Sequence, residues 1–271
     1  IEKSEEFAKL HRQGNCFVIP NPWDAGSARL LEHLGCQSLA TTGAGFAFSQ
    51  GNSDLSINAK DMLPHLSQLC AITNLPISAD LQNGFGHTPE EAAMTIIAAA
   101  KTGIVGCSIE DASGDPESPF YDLGLAKERI QHAAAAAKAL GFKFMLTARA
   151  ENYFYGNPDL ANTILRLQAY QDAGADVLFA PGFQSKANIK SILSSIDRPL
   201  NVLMGLRGDQ LILPELSELG VTRISLGGSL ARTAYSAMIS AIKEIMKNGC
   251  FSYGSDAISG KELNSIFDRQ A

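Results

Sequence analysis

Asp54, Asp80, Gln82, Glu110 and Arg149 are the side chains in this sequence best suited to chemistry. In Asp80-Leu81-Gln82 an extended backbone places Asp80 and Gln82 on one face and Leu81 on the other, so two oxygen donors share one site. Glu110 and Asp54 raise the count to three carboxylates, with Arg149 as the only obvious cation beside them. Such crowding of negative charge favours a divalent ion. Magnesium suits it, because that ion prefers carboxylate oxygen and keeps several waters that a substrate can replace; manganese is the alternative. Arg149 shares a strand face with Thr147 and Glu151, and its guanidinium suits a two-pronged contact with a carboxylate or phosphoryl group; the competing reading is an ion pair with Glu151 or Glu110. Thr42-Gly43-Ala44-Gly45 offers backbone N–H groups on a small-residue turn able to hold an anion.

These residues need a scaffold that brings distant segments together. Eight short apolar runs alternate with helical stretches: Phe17-Ile19, Ser38-Thr42, Ile77-Ala79, Gly106-Ile109, Phe144-Ala148, Val177-Phe179, Asn201-Met204 and Arg223-Leu226. Eight strands alternating with helices predict an α/β fold of the (β/α)8 TIM-barrel type, read as one domain over residues 1–271. In such a barrel, functional groups sit at the carboxyl ends of the strands. There the sequence has Asn21 and Asp24, the Thr42–Gly45 turn, Asp80 and Gln82, Glu110 and Asp111, then Arg149 and Glu151. Thr88-Pro89-Glu90-Glu91 is a helix start, and a first helix is expected over Ser4–Gln13. Residues 229–271 read as two helices broken at Asn248-Gly249, a surplus suited to a neighbouring subunit. The glycine clusters Gly205–Gly208 and Gly227–Ser229 read as chain reversals capped by Asp209 or Ser229, with phosphate binding as the rival. Cys107 falls out of phase with Ser108 and Glu110 and belongs to the core, and His87 is the one histidine near the expected mouth.

Composition narrows the function classes. In 271 residues, 45% are hydrophobic, 18% are charged and the net charge is −6, with no Lys/Arg run, so nucleic acid is not an expected partner. No apolar stretch reaches the roughly 18 residues of a membrane span, and Ile1-Glu2-Lys3-Ser4-Glu5-Glu6 does not read as a signal peptide, so a cytoplasmic location is expected. Five scattered cysteines without a Cys-x-x-Cys pair read as reduced. No lysine lies at a strand's carboxyl end, which argues against Schiff-base chemistry.

Several blocks carry a resemblance in order and spacing: Pro20-Asn21-Pro22-Trp23-Asp24-Ala25-Gly26-Ser27-Ala28, Thr41-Thr42-Gly43-Ala44-Gly45-Phe46-Ala47, Gly51-Asn52-Ser53-Asp54, Ser78-Ala79-Asp80-Leu81-Gln82-Asn83-Gly84-Phe85-Gly86, Ser108-Ile109-Glu110-Asp111, Thr147-Ala148-Arg149-Ala150-Glu151 and Ala173-Gly174-Ala175-Asp176. From about Phe7 to Arg232 the chain resembles the isocitrate lyase and phosphoenolpyruvate mutase superfamily. The resemblance implies a barrel whose eighth helix is swapped between subunits of a homotetramer built as two dimers, magnesium, and an α-keto acid substrate or product. It implies that Asp80 is the principal metal ligand and that Asp54 and Glu110 hold metal-bound water, with Gln82 beside them. It also places Trp23, Thr42, Gly43, Ala44 and Arg149 among the substrate-binding residues, with Arg149, Glu110 and Asp54 catalytic.

Two departures bear on the reaction. Gln82 stands where the family commonly has Asp or Glu, and a neutral amide is a poorer partner for a hydrated cation. The segment Ala112–Phe120 lacks the Lys-Arg-Cys-Gly-His motif of isocitrate and methylisocitrate lyases and the lysine and asparagine of the mutase gating loop. The expectation is therefore a magnesium-dependent carbon-carbon lyase acting on a small α-keto or 2-hydroxy carboxylate through an enolpyruvate-type intermediate, resembling 2-methylisocitrate lyase or oxaloacetate decarboxylase. Carbon-phosphorus chemistry and a catalytically silent binding barrel are the alternatives.

Overall fold

The structure, a computed structural model, describes residues 2–12, 14–182, 185–205 and 211–268. Leu206–Asp209, part of one glycine cluster, lie outside the described residues. Every predicted strand of the barrel is present: β1 (Phe17–Ile19), β2 (Leu39–Ala40), β3 (Ile77–Asp80), β4 (Gly106–Glu110), β7 (Met145–Arg149), β8 (Val177–Phe179), β9 (Leu200–Leu203) and β10 (Arg223–Ser225). They form one parallel sheet in the order β1-β10-β9-β8-β7-β4-β3-β2. The Ala40 N–H donates to Pro20 O at 3.0 Å and Asn21 Nδ2 to Thr41 O at 2.9 Å, which draws the two ends of the sheet into a nearly closed (β/α)8 barrel.

β5 (Ala112–Asp115) and β6 (Ser118–Phe120) were not expected; they make a separate antiparallel hairpin. Its residues are polar and short-run, so no alternating apolar pattern betrays it.

The helices are α1 (Glu2–Leu10), α2 (Ala25–His33), α3 (Gly43–Ser49), α4 (Ala59–Ile72), α5 (Pro89–Ala100), α6 (Leu123–Lys138), α7 (Leu160–Asp172), α8 (Lys186–Leu193), α9 (Leu213–Leu219), α10 (Ser229–Asn248) and α11 (Gly260–Phe267). Local chemistry sets their ends. Thr88 and Glu91 cap each other at the start of α5 with Pro89 in its first turn, and α10 stops at Gly249 with φ 64°. α1 begins two residues before the expected Ser4 and ends at Leu10; Gln13 lies outside the described residues. Gly228, rather than Ser229, occupies the N-cap of α10.

Strand residues facing outward, among them Cys107, Ile109, Leu146 and Ala148, pack with Leu81 under the helices as the main core. Burial pushes the Cys107 thiol far above its usual range, so it is inert packing. Phe7 of α1 packs with Phe17, Ile19, Val105, Met145 and Val177 and plugs the amino end of the barrel. The apolar face of α10 stays open, with Met238, Ile239, Ile242 and Met246 all exposed. No helix among the described residues is long and apolar enough to cross a membrane.

Candidate active site

At the carboxyl ends of the strands a cavity of about 320 Å³ opens into the barrel, lined by Thr42, Gly43, Ala44, Asp54, Asp80, Gln82, Glu110, Arg149, Glu151 and Tyr155. Barrel topology brings these together: α3 starts directly after β2, Asp80 ends β3, Glu110 ends β4 and Arg149 ends β7. Thr42 caps α3 by accepting the Gly45 N–H. The Gly43 N–H, expected to await a substrate anion, donates instead to Asp80 Oδ2 at 3.0 Å. Gly43 also has to be small. A Cβ there would stand 3.2 Å from Gln82 Nε2 and 3.3 Å from Asp80 Oδ2.

Arg149 is the electrostatic centre. Its Nη1 lies 3.1 Å from Asp80 Oδ1 and 2.9 Å from Glu110 Oε2, its Nε lies 2.8 Å from Glu151 Oε1, and its guanidinium stacks 5.1 Å above the Phe179 ring. Of the two readings weighed for it, the ion pair is observed: Arg149 holds a network of carboxylates inside the cavity. Burial alone would favour its neutral form, but Glu110, Glu151 and Asp80 outweigh burial and hold it protonated. Burial drives the Glu110 carboxyl well above its ordinary value, with Arg149 opposing and Glu151 and Asp80 adding. Glu151 is raised in the same way, by burial first and against Arg149. Asp54, at the exposed rim, is raised by partial desolvation and by the charge of Asp80. Burial together with Glu110 and Glu151 keeps the Tyr155 phenol protonated.

The network is held from behind. Asp111 is buried, accepts from Arg166 Nη1 at 2.8 Å and from the Tyr170 hydroxyl at 2.5 Å, and its other oxygen accepts the Glu151 N–H at 2.8 Å. A shift of Asp111 would move the Glu151 backbone, and with it the Arg149 geometry.

Four expectations need correction. Gln82 does share the cavity with Asp80, but not through an extended strand: the chain turns at Gln82 with φ 50°, a left-handed conformation rare for a side-chain-bearing residue. Trp23 lies outside the cavity lining, and Asp24 and Ser27 form the capping box of α2. His87 is also outside, with Nδ1 2.8 Å from the Tyr121 hydroxyl. Arg149 is not the only cation, because Arg223 and Arg232 line the same cavity. Arg223 left a readable signal: a charged residue in a barrel strand whose two faces are both enclosed.

Among the described residues, no three His, Cys, Asp or Glu side chains converge as a ready-made coordination shell. The donor set nonetheless fits magnesium, which binds through one or two carboxylates and retains its waters. Gln82 Nε2 supports a further occupant of the cavity, since it is buried without a hydrogen-bond partner beside Asp80.

The model of the family described as phosphoenolpyruvate phosphomutase matches residues 7–246. The chain belongs to the phosphoenolpyruvate phosphomutase family. A solved structure from Burkholderia cenocepacia J2315 described as a lyase/mutase is 49% identical, with a TM-score of 0.97 over 98% of this chain and 96% of that one. The 2-methylisocitrate lyase of Escherichia coli (strain K12) is 28% identical over 83% of this chain and 73% of its own length. The oxaloacetate decarboxylase of Pseudomonas entomophila (strain L48) is 25% identical over 96% and 90%. This phosphomutase-family barrel is thus similar to proteins named for carbon-carbon cleavage as well as to the phosphomutase family model, and family membership supports an enzyme without choosing among those reactions.

Proposed function

We propose that this chain is a magnesium-dependent carbon-carbon lyase acting on a small α-keto or 2-hydroxy carboxylate. The carrying observation is the convergence of Asp80, Glu110 and Glu151 on Arg149 inside a cavity that Thr42, Gly43, Ala44 and Asp54 complete. Asp80 would hold magnesium directly, with Asp54, Glu110 and Gln82 bound to its waters. The ion supplies neutralisation of the charge that grows on an enolate-like oxygen.

The remaining roles belong to the protein. Arg149 is preorganised by three carboxylates and stabilises negative charge on the reacting group; Phe179 below it limits water. The Thr42–Ala44 turn lines the cavity and would position the substrate carboxylate through its backbone N–H groups, of which the Gly43 N–H is held by Asp80 in this structure. Glu110 and Glu151, with raised proton affinity, are suited to hold or pass a proton beside it.

The test is incubation with oxaloacetate, methylisocitrate, phosphonopyruvate and phosphoenolpyruvate, with magnesium or chelator, followed by proton and phosphorus NMR. Magnesium-dependent loss of oxaloacetate or methylisocitrate, abolished in Asp80→Ala, supports the lyase; turnover of a phosphonate or phosphate ester alone transfers the site to carbon-phosphorus chemistry, and no conversion supports a silent barrel. We further propose that the exposed α10 face pairs with other copies of the chain in a tetramer, which light scattering measures; a monomer would reject it.

A further inference from the structure

The cavity continues below the carboxylate network to a second arginine. Arg223, at the start of β10, is buried, and its side chain lies across the barrel interior. Nε donates to Asn201 Oδ1 at 2.8 Å, Nη2 to Thr147 Oγ1 at 3.0 Å, and Nη1 lies 3.4 Å from His11 Nε2. Every one of these partners is neutral. His11 Nδ1 faces the Phe7 carbonyl at 2.8 Å and must donate there, so Nε2 is the unprotonated acceptor. Burial, reinforced by Arg223 itself, lowers the His11 pKa to about 3. Among the described residues, no carboxylate lies within ion-pair distance of Arg223, and two of its five N–H groups are left over after these three contacts. Burial without a counter-charge pulls its pKa down to about 9.

An enclosed cation without a counter-ion is an unfavourable arrangement that an anion would relieve. The interior above it has room. Ala40, Ser78 and Ser108 line the cavity where barrel interiors ordinarily carry Val, Ile or Leu. Thr147 precedes Arg149 by two residues on β7, so the Arg223 contact lies one inward-facing layer, roughly 7 Å, below the Arg149 network.

We propose that Arg223, with Asn201 and Thr147, forms an anion subsite in the floor of the barrel that takes the second carboxylate of a substrate whose reacting end lies at Arg149. This rests on the lyase reading for the upper end and narrows it to a substrate whose second carboxylate stays on a cleaved fragment, since an oxaloacetate-like acid loses its second carboxylate in the reaction. Without metal, the upper cavity carries Asp54, Asp80, Glu110 and Glu151 against Arg149 and Arg232, so a small anion in the chelated protein is disfavoured there and attracted to Arg223.

Calorimetric titration tests this with succinate, acetate and oxalate as probes, on wild type, Arg223→Met and Arg223→Lys. In chelator, wild type binds succinate; Arg223→Met weakens it by about tenfold or more, as expected for losing a charge-assisted contact, and Arg223→Lys recovers part. With magnesium, succinate binds about tenfold or more tighter than acetate in wild type, and that advantage vanishes in Arg223→Met. Unaltered succinate binding in Arg223→Met overturns the subsite. Equal affinity for succinate and acetate in magnesium-loaded wild type overturns the bridging substrate and leaves a pocket for free anions. Oxalate, too short to reach the floor, keeps the two readings apart: its magnesium-dependent binding reports the mouth and should survive Arg223→Met. Should oxalate fail to bind wild type, the lyase reading falls while the chelator result still judges Arg223. A circular dichroism melt of each variant identifies any that fails to fold, and the wild-type succinate-to-acetate ratio decides without a variant.

Discussion

Arg149 and Arg223 face the interior of one barrel from neighbouring layers, yet Arg149 touches three carboxylates and Arg223 none among the described residues. The upper arginine is over-neutralised, and burial first, with the neighbouring carboxylates adding and Arg149 opposing, makes Glu110 and Glu151 resist losing their protons. The lower one is under-neutralised, and burial first and Arg223 second make His11 resist gaining one. A cavity with surplus negative charge at its mouth and surplus positive charge at its floor suits a cation and one anionic end above, and a second anionic end below. The same side chain thus does opposite electrostatic work in two layers.

The largest effect separating the two should come from Arg149→Met. Removing it leaves Asp80, Glu110 and Glu151 mutually repelling, which should cost about 3–5 kcal/mol of stability by denaturant melts and about a thousandfold or more in turnover. Stability and rate within experimental error of wild type would make the network ornamental.

Next in size is the pH response, which should have opposite signs in the two layers. His11 is neutral when folded, with its pKa lowered from 6.5 to about 3 by burial first and Arg223 second. Its contribution is complete above the unfolded value of 6.5 and is lost as pH falls towards 3, on the order of 3 kcal/mol by pH 4. Glu110 and Glu151 are raised when folded, so their contribution is complete below the ordinary carboxyl value of 4.5 and is lost as pH rises through the elevated range. Thermal melts across pH should therefore fall on both flanks. His11→Gln should flatten the acid flank alone, and magnesium should restore stability on the alkaline flank alone. A variant that altered both flanks equally would erase the distinction between layers.

Arg223→Met should be milder than Arg149→Met, because it strands neutral acceptors rather than like charges: about 1–2 kcal/mol or less in denaturant melts. A loss matching that of Arg149→Met would mean the floor arginine is primarily structural. Smallest is Gly43→Ala, whose new Cβ presses on Gln82 and Asp80 at 3.2 and 3.3 Å; a fewfold rise in KM, roughly under 1 kcal/mol, is expected from steady-state kinetics. An unchanged KM would show that the turn can yield.

Much of the mouth was legible in the chain itself. Asp80, Glu110 and Arg149 end strands whose apolar runs stand out, and barrels gather strand ends at one face. Asp54 and the Thr42–Ala44 turn followed from their place in the loops after β2. Glu151 was visible as a strand-end carboxylate and as a partner for Arg149; that it completes a three-carboxylate cage depends on Asp111, just after β4, holding its backbone. The hairpin of β5 and β6 and the left-handed turn at Gln82 leave no periodic trace, since neither rests on an apolar repeat.

By itself, the sequence determined the number and order of the barrel strands, the helix starts at Thr88 and stops at Gly249, and which acidic groups lie at strand ends, because each is a local matter of hydrophobic period or capping. Only the tertiary structure decided which charges meet. Closing the barrel set Arg149 among carboxylates and set Arg223 beside Asn201, Thr147 and His11, up to 212 positions away in the chain. Charge neutralisation is a property of distances between segments, and no local pattern encodes those distances.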